Sequence, residues 1–181
     1  MAIVRSDRAV SAGRLRTLAS RLLDASRLCA IATTSPTGGA HVNTAYFAWG
    51  PGCEIVWLSD PASGHSRNLR RRPSAAITVY DSRQRWGEPD RGIQLFGSAR
   101  ELRGRDADAA ERTYALRFPA YEHGEQAEFR FYRLRPRRVK LFDETALGGG
   151  VFVTATVRGG ALAWNRTETI VGSRKHSPAR S

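Results

Sequence analysis

The sequence predicts a mainly-β α+β domain. About six to seven antiparallel strands close into a small barrel, with an N-terminal helix and further helices at the periphery. Three observations carry this. Apolar, β-branched segments recur and are separated by short turns rich in Gly, Pro, Ser and Asp. An amphipathic helical pattern precedes the first of them. There is neither a strand–helix–strand rhythm nor an internal repeat.

The elements follow in chain order. Leu15, Leu18, Ala19, Leu22 and Leu23 repeat at helical spacing, with arginines between them and Ser11 as N-cap, so a helix is expected to end near Arg27. LCAIATT (residues 28–34) reads as a strand, SPTGG as a turn, AHVNTAYFAW (40–49) as a second strand, GPG as a turn and EIVWLS (54–59) as a third. These three make a meander. Residues 63–72 read as a short helix and SAAITVY (74–80) as the fourth strand. After a polar loop, GIQLFGSAREL (92–102) is a long fifth strand with a bend or bulge at Gly97. Residues 105–118 are helical, acidic early and basic late. AEFRFYRLRP, RRVKLFDE and VFVTATV read as three further strands. Periodicity fades from Arg158. The expected organisation is one domain over residues 1–157 and a tail over 158–181, ordered in part around Trp164.

The net charge is +12, and all but two of the 29 basic residues are arginine. The arginines are spread from Arg5 to Arg180 and form no concentrated block, which argues against nucleic-acid binding as the main role. No stretch approaches the roughly 18 apolar residues of a membrane span. The N-terminus carries no long apolar run, so no secretory signal and a cytoplasmic location are expected. Cys29 and Cys53 make neither a disulfide framework nor a metal site, and four scattered histidines argue against zinc. No GxGxxG after a strand, GxxxxGK[ST], HExxH, CxxC or GxSxG occurs. No paired carboxylates for hydrolysis are evident, so no catalytic residue is assigned.

One stretch concentrates chemistry. SDPASGHSRNLRRRPSAAITVY (59–80) places Ser59, Ser63, His65, Ser66 and Arg67 between a strand and a helix start. Hydroxyls, a helix N-terminus and an arginine fork suit an anion. The same residues also suit a helix cap with solvated charges, and Arg70, Arg71 and Arg72 read as an exposed helix surface.

HVNTAYF, WLSDPASGHSRNLRRRPSAAITVYD, GIQLFGSAREL and FYRLRPRRVKLFD together resemble the pyridoxamine 5′-phosphate oxidase-like, FMN-binding split β-barrel family, over roughly residues 20–157. The resemblance implies a split β-barrel and a homodimer with flavin in a groove between subunits. It implies an oxidoreductase acting on a small molecule, in which the flavin carries the electrons. The FMN phosphate would lie near Ser59, Ser63, His65 and Arg67, with Asn68 in the same segment. His65 stands where the family commonly has lysine or arginine. His41, Asn43 and Thr44 fall on the strand that flanks the ring. Gln94 falls on the strand that contacts its edge, with Gly92 closest to the family's ring-binding glutamine. His41, Asn43 and Thr44 equally suit a half-solvated strand. The residues after Val157 do not match the substrate segment of the pyridoxine-pathway oxidases. Two further cofactors are compatible with the fold. One is the deazaflavin F420, whose acidic tail suits a basic chain. The other is haem ligated by His41, His65 or His123, and a non-enzymatic flavin- or haem-binding protein is the corresponding alternative function.

Overall fold

The computed structural model describes residues 2–122 and 128–172. Nine strands form one antiparallel sheet: β1 (Ala2–Ser6), β2 (Leu28–Thr34), β3 (Ala40–Gly50), β4 (Glu54–Ser59), β5 (Ser74–Tyr80), β6 (Arg91–Glu101), β7 (Arg130–Asp143), β8 (Val151–Arg158) and β9 (Ala161–Val171). Strands β7-β4-β3-β2-β5-β6 are neighbours in that order, and β6 pairs again with β7. The result is a closed six-stranded barrel, from which β8, β9 and β1 extend as an outer wing on β7.

Among the described residues there are four α-helices: α1 (Ala12–Asp24), α2 (Gly64–Arg71), α3 (Arg105–Arg117) and α4 (Glu144–Leu147). Ser11 caps α1 by accepting from the Arg14 N–H. The apolar stripe of α1 (Leu15, Leu18, Ala19, Leu22, Leu23) is buried in the barrel core with Ile31, Phe47, Trp57, Leu95 and Val139. A second, smaller cluster lies on the outside of the barrel. There Ala110 and Tyr114 of α3 cover Ala48, Val56 and Phe131. Helix α3 therefore covers the outer face of β4, of the first half of β7 and of the end of β3 at Ala48, leaving Val42, Thr44 and Tyr46 of β3 exposed. The outer face of β2, β5 and β6 is left bare.

Two departures from the sequence reading stand out. AEFRFYRLRP and RRVKLFDE are one continuous strand, β7, because a β-bulge at Arg137 lets the chain run on through Pro136. Residues 161–171, read as tail, form β9, which pairs along β8 and β1. Tail residues 173–181 and His123 lie outside the described residues.

Among the described residues no helix is long and apolar enough to cross a membrane. Among the same residues no group of three or more His, Cys, Asp or Glu is placed to hold a metal ion. Both cysteines are buried thiols. Desolvation pushes Cys29 up to about 12 and Cys53 up to about 11.

Candidate functional site

The start of α2 is built as a cap. Ser63 accepts from the Ser66 N–H, and its hydroxyl donates to Ser66 Oγ at 2.8 Å. Ser66 in turn donates to the Asp60 carbonyl at 2.9 Å, and the Asp60 carboxylate accepts from the Ala62 N–H. His65 is buried, 2% exposed, with its Nδ1 3.2 Å from Ser63 Oγ. Its ring lies between those of His41 and Tyr132, at 6.5 and 6.2 Å. Burial, reinforced by His41 and opposed by Asp60, holds the His65 imidazole below the ordinary histidine pKa and hence neutral at pH 7.

The other residues of this segment are engaged locally. Arg67 turns back to donate to the Ala62 carbonyl, and Arg70 donates to the Pro61 carbonyl at 2.8 Å. Asn68 is buried and donates to Thr33 Oγ1 at 3.1 Å. Ser59 is half-buried at the end of β4, opposite Arg130 of β7.

The residues predicted on β3 fall on its two faces. His41 and Asn43 share the face that also carries Ala45 and the buried Phe47. Thr44 lies on the opposite, outer face with Val42 and Tyr46. The strand register then sets a row across the outer face: Thr44 opposite Ala30, Ala30 opposite Thr78, and Thr78 opposite Gln94. The neighbouring row runs from Val42 through Ala32 and Ala76 to Phe96. Three alanines thus form a flat floor, with Gln94 and Phe96 along one side.

This bare face carries two adjoining clefts, of about 350 Å³ beside Gln94 and about 620 Å³ toward Arg137, Arg138 and Ser74. They share Ala32, Ala76 and Phe96. Val42 and Gln94 line the first, whereas Ser59, Ser63, His65, Arg67 and Asn68 line neither. The structure therefore brings Thr44 and Gln94 to one surface. It gathers His41, Ser63 and His65 into a separate, largely internal cluster.

Gly92 is packed over. A Cβ at Gly92 would come 2.5 Å from Phe142 Cζ, and Phe142 packs against Phe152. A side chain there would have to displace the Phe142 ring, and Gln94 is the amide that faces the cleft.

Arg137 and Arg138 escaped the sequence reading. Inward-facing residues on β7 run Tyr132, Leu134, Pro136 and then Val139 and Leu141. The extra residue between Pro136 and Val139 puts both arginines outside. The readable signal was the break in period two at Pro-Arg-Arg.

The family model described as "Pyridoxamine 5'-phosphate oxidase" matches residues 16–143. None of the curated proteins matches. Among solved structures, a haem-binding protein from Mycobacterium smegmatis has TM-score 0.61 at 21% identity over 82% of this chain, which spans 59% of that protein's length. A FAD-binding protein from Mesorhizobium loti has TM-score 0.56 at 20% identity, covering 79% of this chain and 99% of that one. An F420 reductase has TM-score 0.52 at 20% identity, covering 66% and 94%. These likenesses establish a shared fold, and the family-model match spans most of the chain from α1 to the end of β7. The chain belongs to the pyridoxamine 5′-phosphate oxidase family.

Proposed function

We propose that the protein binds a flavin-type tricyclic cofactor, FMN in the first instance, on the outer face of β2, β5 and β6, and works as an oxidoreductase on a small molecule. The observation that carries this reading is the alanine floor of Ala30, Ala32 and Ala76 beside Gln94. Small side chains leave room for a flat ring to lie against the sheet. A primary amide at the edge can both donate to and accept from the polar edge of an isoalloxazine. Thr44 and Thr78 add hydroxyls in the same row. The bound flavin would supply hydride or electron transfer. The chain would bind and orient it and shape the substrate space, a role compatible with a surface lacking a catalytic triad.

The reading includes a homodimer. Leu28, Val42, Tyr46 and Tyr80 stand on the bare side of the barrel with about half or more of their surface exposed. A second copy seated there would cover this apolar rim and turn an open cleft into a groove. Sedimentation equilibrium tests this, and a monomer at all concentrations would remove that part.

The neighbours that bind FAD, F420 or haem name the competitors to FMN. Purified protein should show flavin absorption, or acquire it on addition of FMN. Side-by-side titration with FMN, F420 and haemin ranks the three. Preference for haemin, with a Soret band, would replace the flavin reading.

A further inference from the structure

We propose that the small molecule acted on at this site is an anion, and that Arg137 and Arg138, with the Ser74 hydroxyl across the cleft, hold its carboxylate or phosphate group beside the ring. This rests on the reading that the neighbouring floor takes a flavin-type ring. It leaves the cofactor's own phosphate to the end of β4 and the start of α2.

The first argument is the bulge. Phe96 pairs with Arg138 but Gly97 pairs with Pro136, so Arg137 has no partner across the ladder. Two consecutive arginines therefore face the same way, which an unbroken strand forbids. Both line the larger cleft together with Ser74.

The second is charge. Among the described residues, Arg133 is paired with Glu54 and Asp106, and Arg135 with Glu54. No carboxylate or hydrogen-bond partner reaches the side chain of Arg137 or Arg138. Arg138 stacks on Phe96, its guanidinium 4.5 Å from the ring centroid. Stacking fixes the plane of the guanidinium and leaves its N–H edge free to fork onto an oxyanion. Of the described residues lining the two clefts, none is acidic, and these two arginines are the charged ones. The cleft therefore complements a negative group.

The third is position beside the ring. Phe96 lines both clefts, so the guanidinium stacked on it stands at their border. Gln94, at the edge of the floor, is two residues along β6 from Phe96, or about 7 Å. A small anion forked by Arg138 would place its remaining atoms toward the ring.

The fourth is separation from the cofactor's phosphate. At the start of α2, Arg67 and Arg70 are bonded only to neutral carbonyls and remain uncompensated cations. That start lies under His41 of β3, whereas the end of α2 leads through Arg72 and Pro73 into Ser74 of β5. Eight helical residues put about 12 Å between the two ends. One phosphate cannot engage both, so a cofactor anchored at the start of α2 leaves Arg137 and Arg138 to a second anion.

The test is calorimetry of succinate and of inorganic pyrophosphate with the FMN-loaded wild type and Arg137→Gln/Arg138→Gln. The two arginines are exposed, so the variant should fold, and circular dichroism checks it. The loaded wild type should bind at least one of the two anions, and which of them it prefers tells carboxylate from phosphate. The variant should keep its FMN affinity and bind that anion about tenfold or more weakly. Equal anion binding by both proteins, or none by the loaded wild type, overturns the proposal and leaves the ring reading standing. Loss of FMN affinity in the variant also overturns it, because the arginines would then serve the cofactor. If the wild type takes up no FMN, the ring reading falls, and the same titration without FMN decides the arginine site. Anion binding lost in the variant then sustains it, and binding that is kept or absent removes it.

Discussion

The His41 imidazole lies directly over Gly64, so that a Cβ built on Gly64 would come 2.6 Å from His41 Nε2. The first residue of α2 is therefore glycine for reasons of space, since its backbone needs no left-handed conformation. Gly64→Ala should destabilise the protein by about 1 kcal/mol or more through overpacking. In a His41→Ala background the same change should be neutral or stabilising, because alanine is the better helix former. Urea unfolding of the four proteins of this cycle reads the coupling. Additive effects would show that the two residues do not press on each other.

Burial of His65 makes stability depend on pH. Its folded pKa lies below the ordinary value of about 6.5. The unfolded state thus binds the proton more readily, and the native state is favoured above about pH 6.5. That contribution is lost as pH falls from there through the folded value. His41, Asp60 and Tyr132 are the groups that face the ring. Thermal melts should show the midpoint falling on acidification through this window, with a shallower slope in His65→Gln. An identical slope in the variant would assign the effect elsewhere.

Asn68 is expected near the cofactor, and in the structure its amide donates to the Thr33 hydroxyl. Asn68→Ala leaves the buried Thr33 hydroxyl without its donor. A loss of about 1–2 kcal/mol is expected, with FMN affinity unchanged. A stable variant with weakened FMN binding would instead place Asn68 at the cofactor.

Gly97 is where β6 meets the bulge. A Cβ there would overlap the Arg135 carbonyl and come 2.7 Å from Pro136 Cα, both backbone. Backbone cannot swing aside, so Gly97→Ala should cost about 3 kcal/mol. Full stability in this variant would mean that the bulge is looser than described.

Five of the six barrel strands were legible whole, and β7 in two pieces, because each has an inner face buried in one core, which forces apolar residues onto alternate positions. Strands β1 and β9 were not. Every residue of β1 but Ser6 is exposed, and on β9 only Leu162 and Thr167 are buried. A strand in an outer wing is under little pressure to alternate. The site divides in the same way. Thr44 and Gln94 could be chosen singly from the sequence. Their common row through Ala30 and Thr78 depends on three strand registers, which are non-local. Arg137 and Arg138 were hidden for a related reason: the bulge that turns both outward is set by Gly97, some 40 residues earlier in the chain. The cluster at Ser63 and His65 showed the right residue types for an anion. The alternative reading of the same residues as a helix cap matches the bonds that Ser63 makes to Ser66.

The most direct test of the account is an FMN titration, followed by absorption and fluorescence, of the wild type and of Ala32→Phe. Ala32 is exposed on the floor of the cleft, so a phenyl ring there fills the proposed ring site without entering the core. The account expects saturable binding with shifted flavin bands in the wild type, and none in a folded Ala32→Phe. An FMN spectrum unchanged by the wild type at high concentration, or equal binding by both proteins, would contradict it.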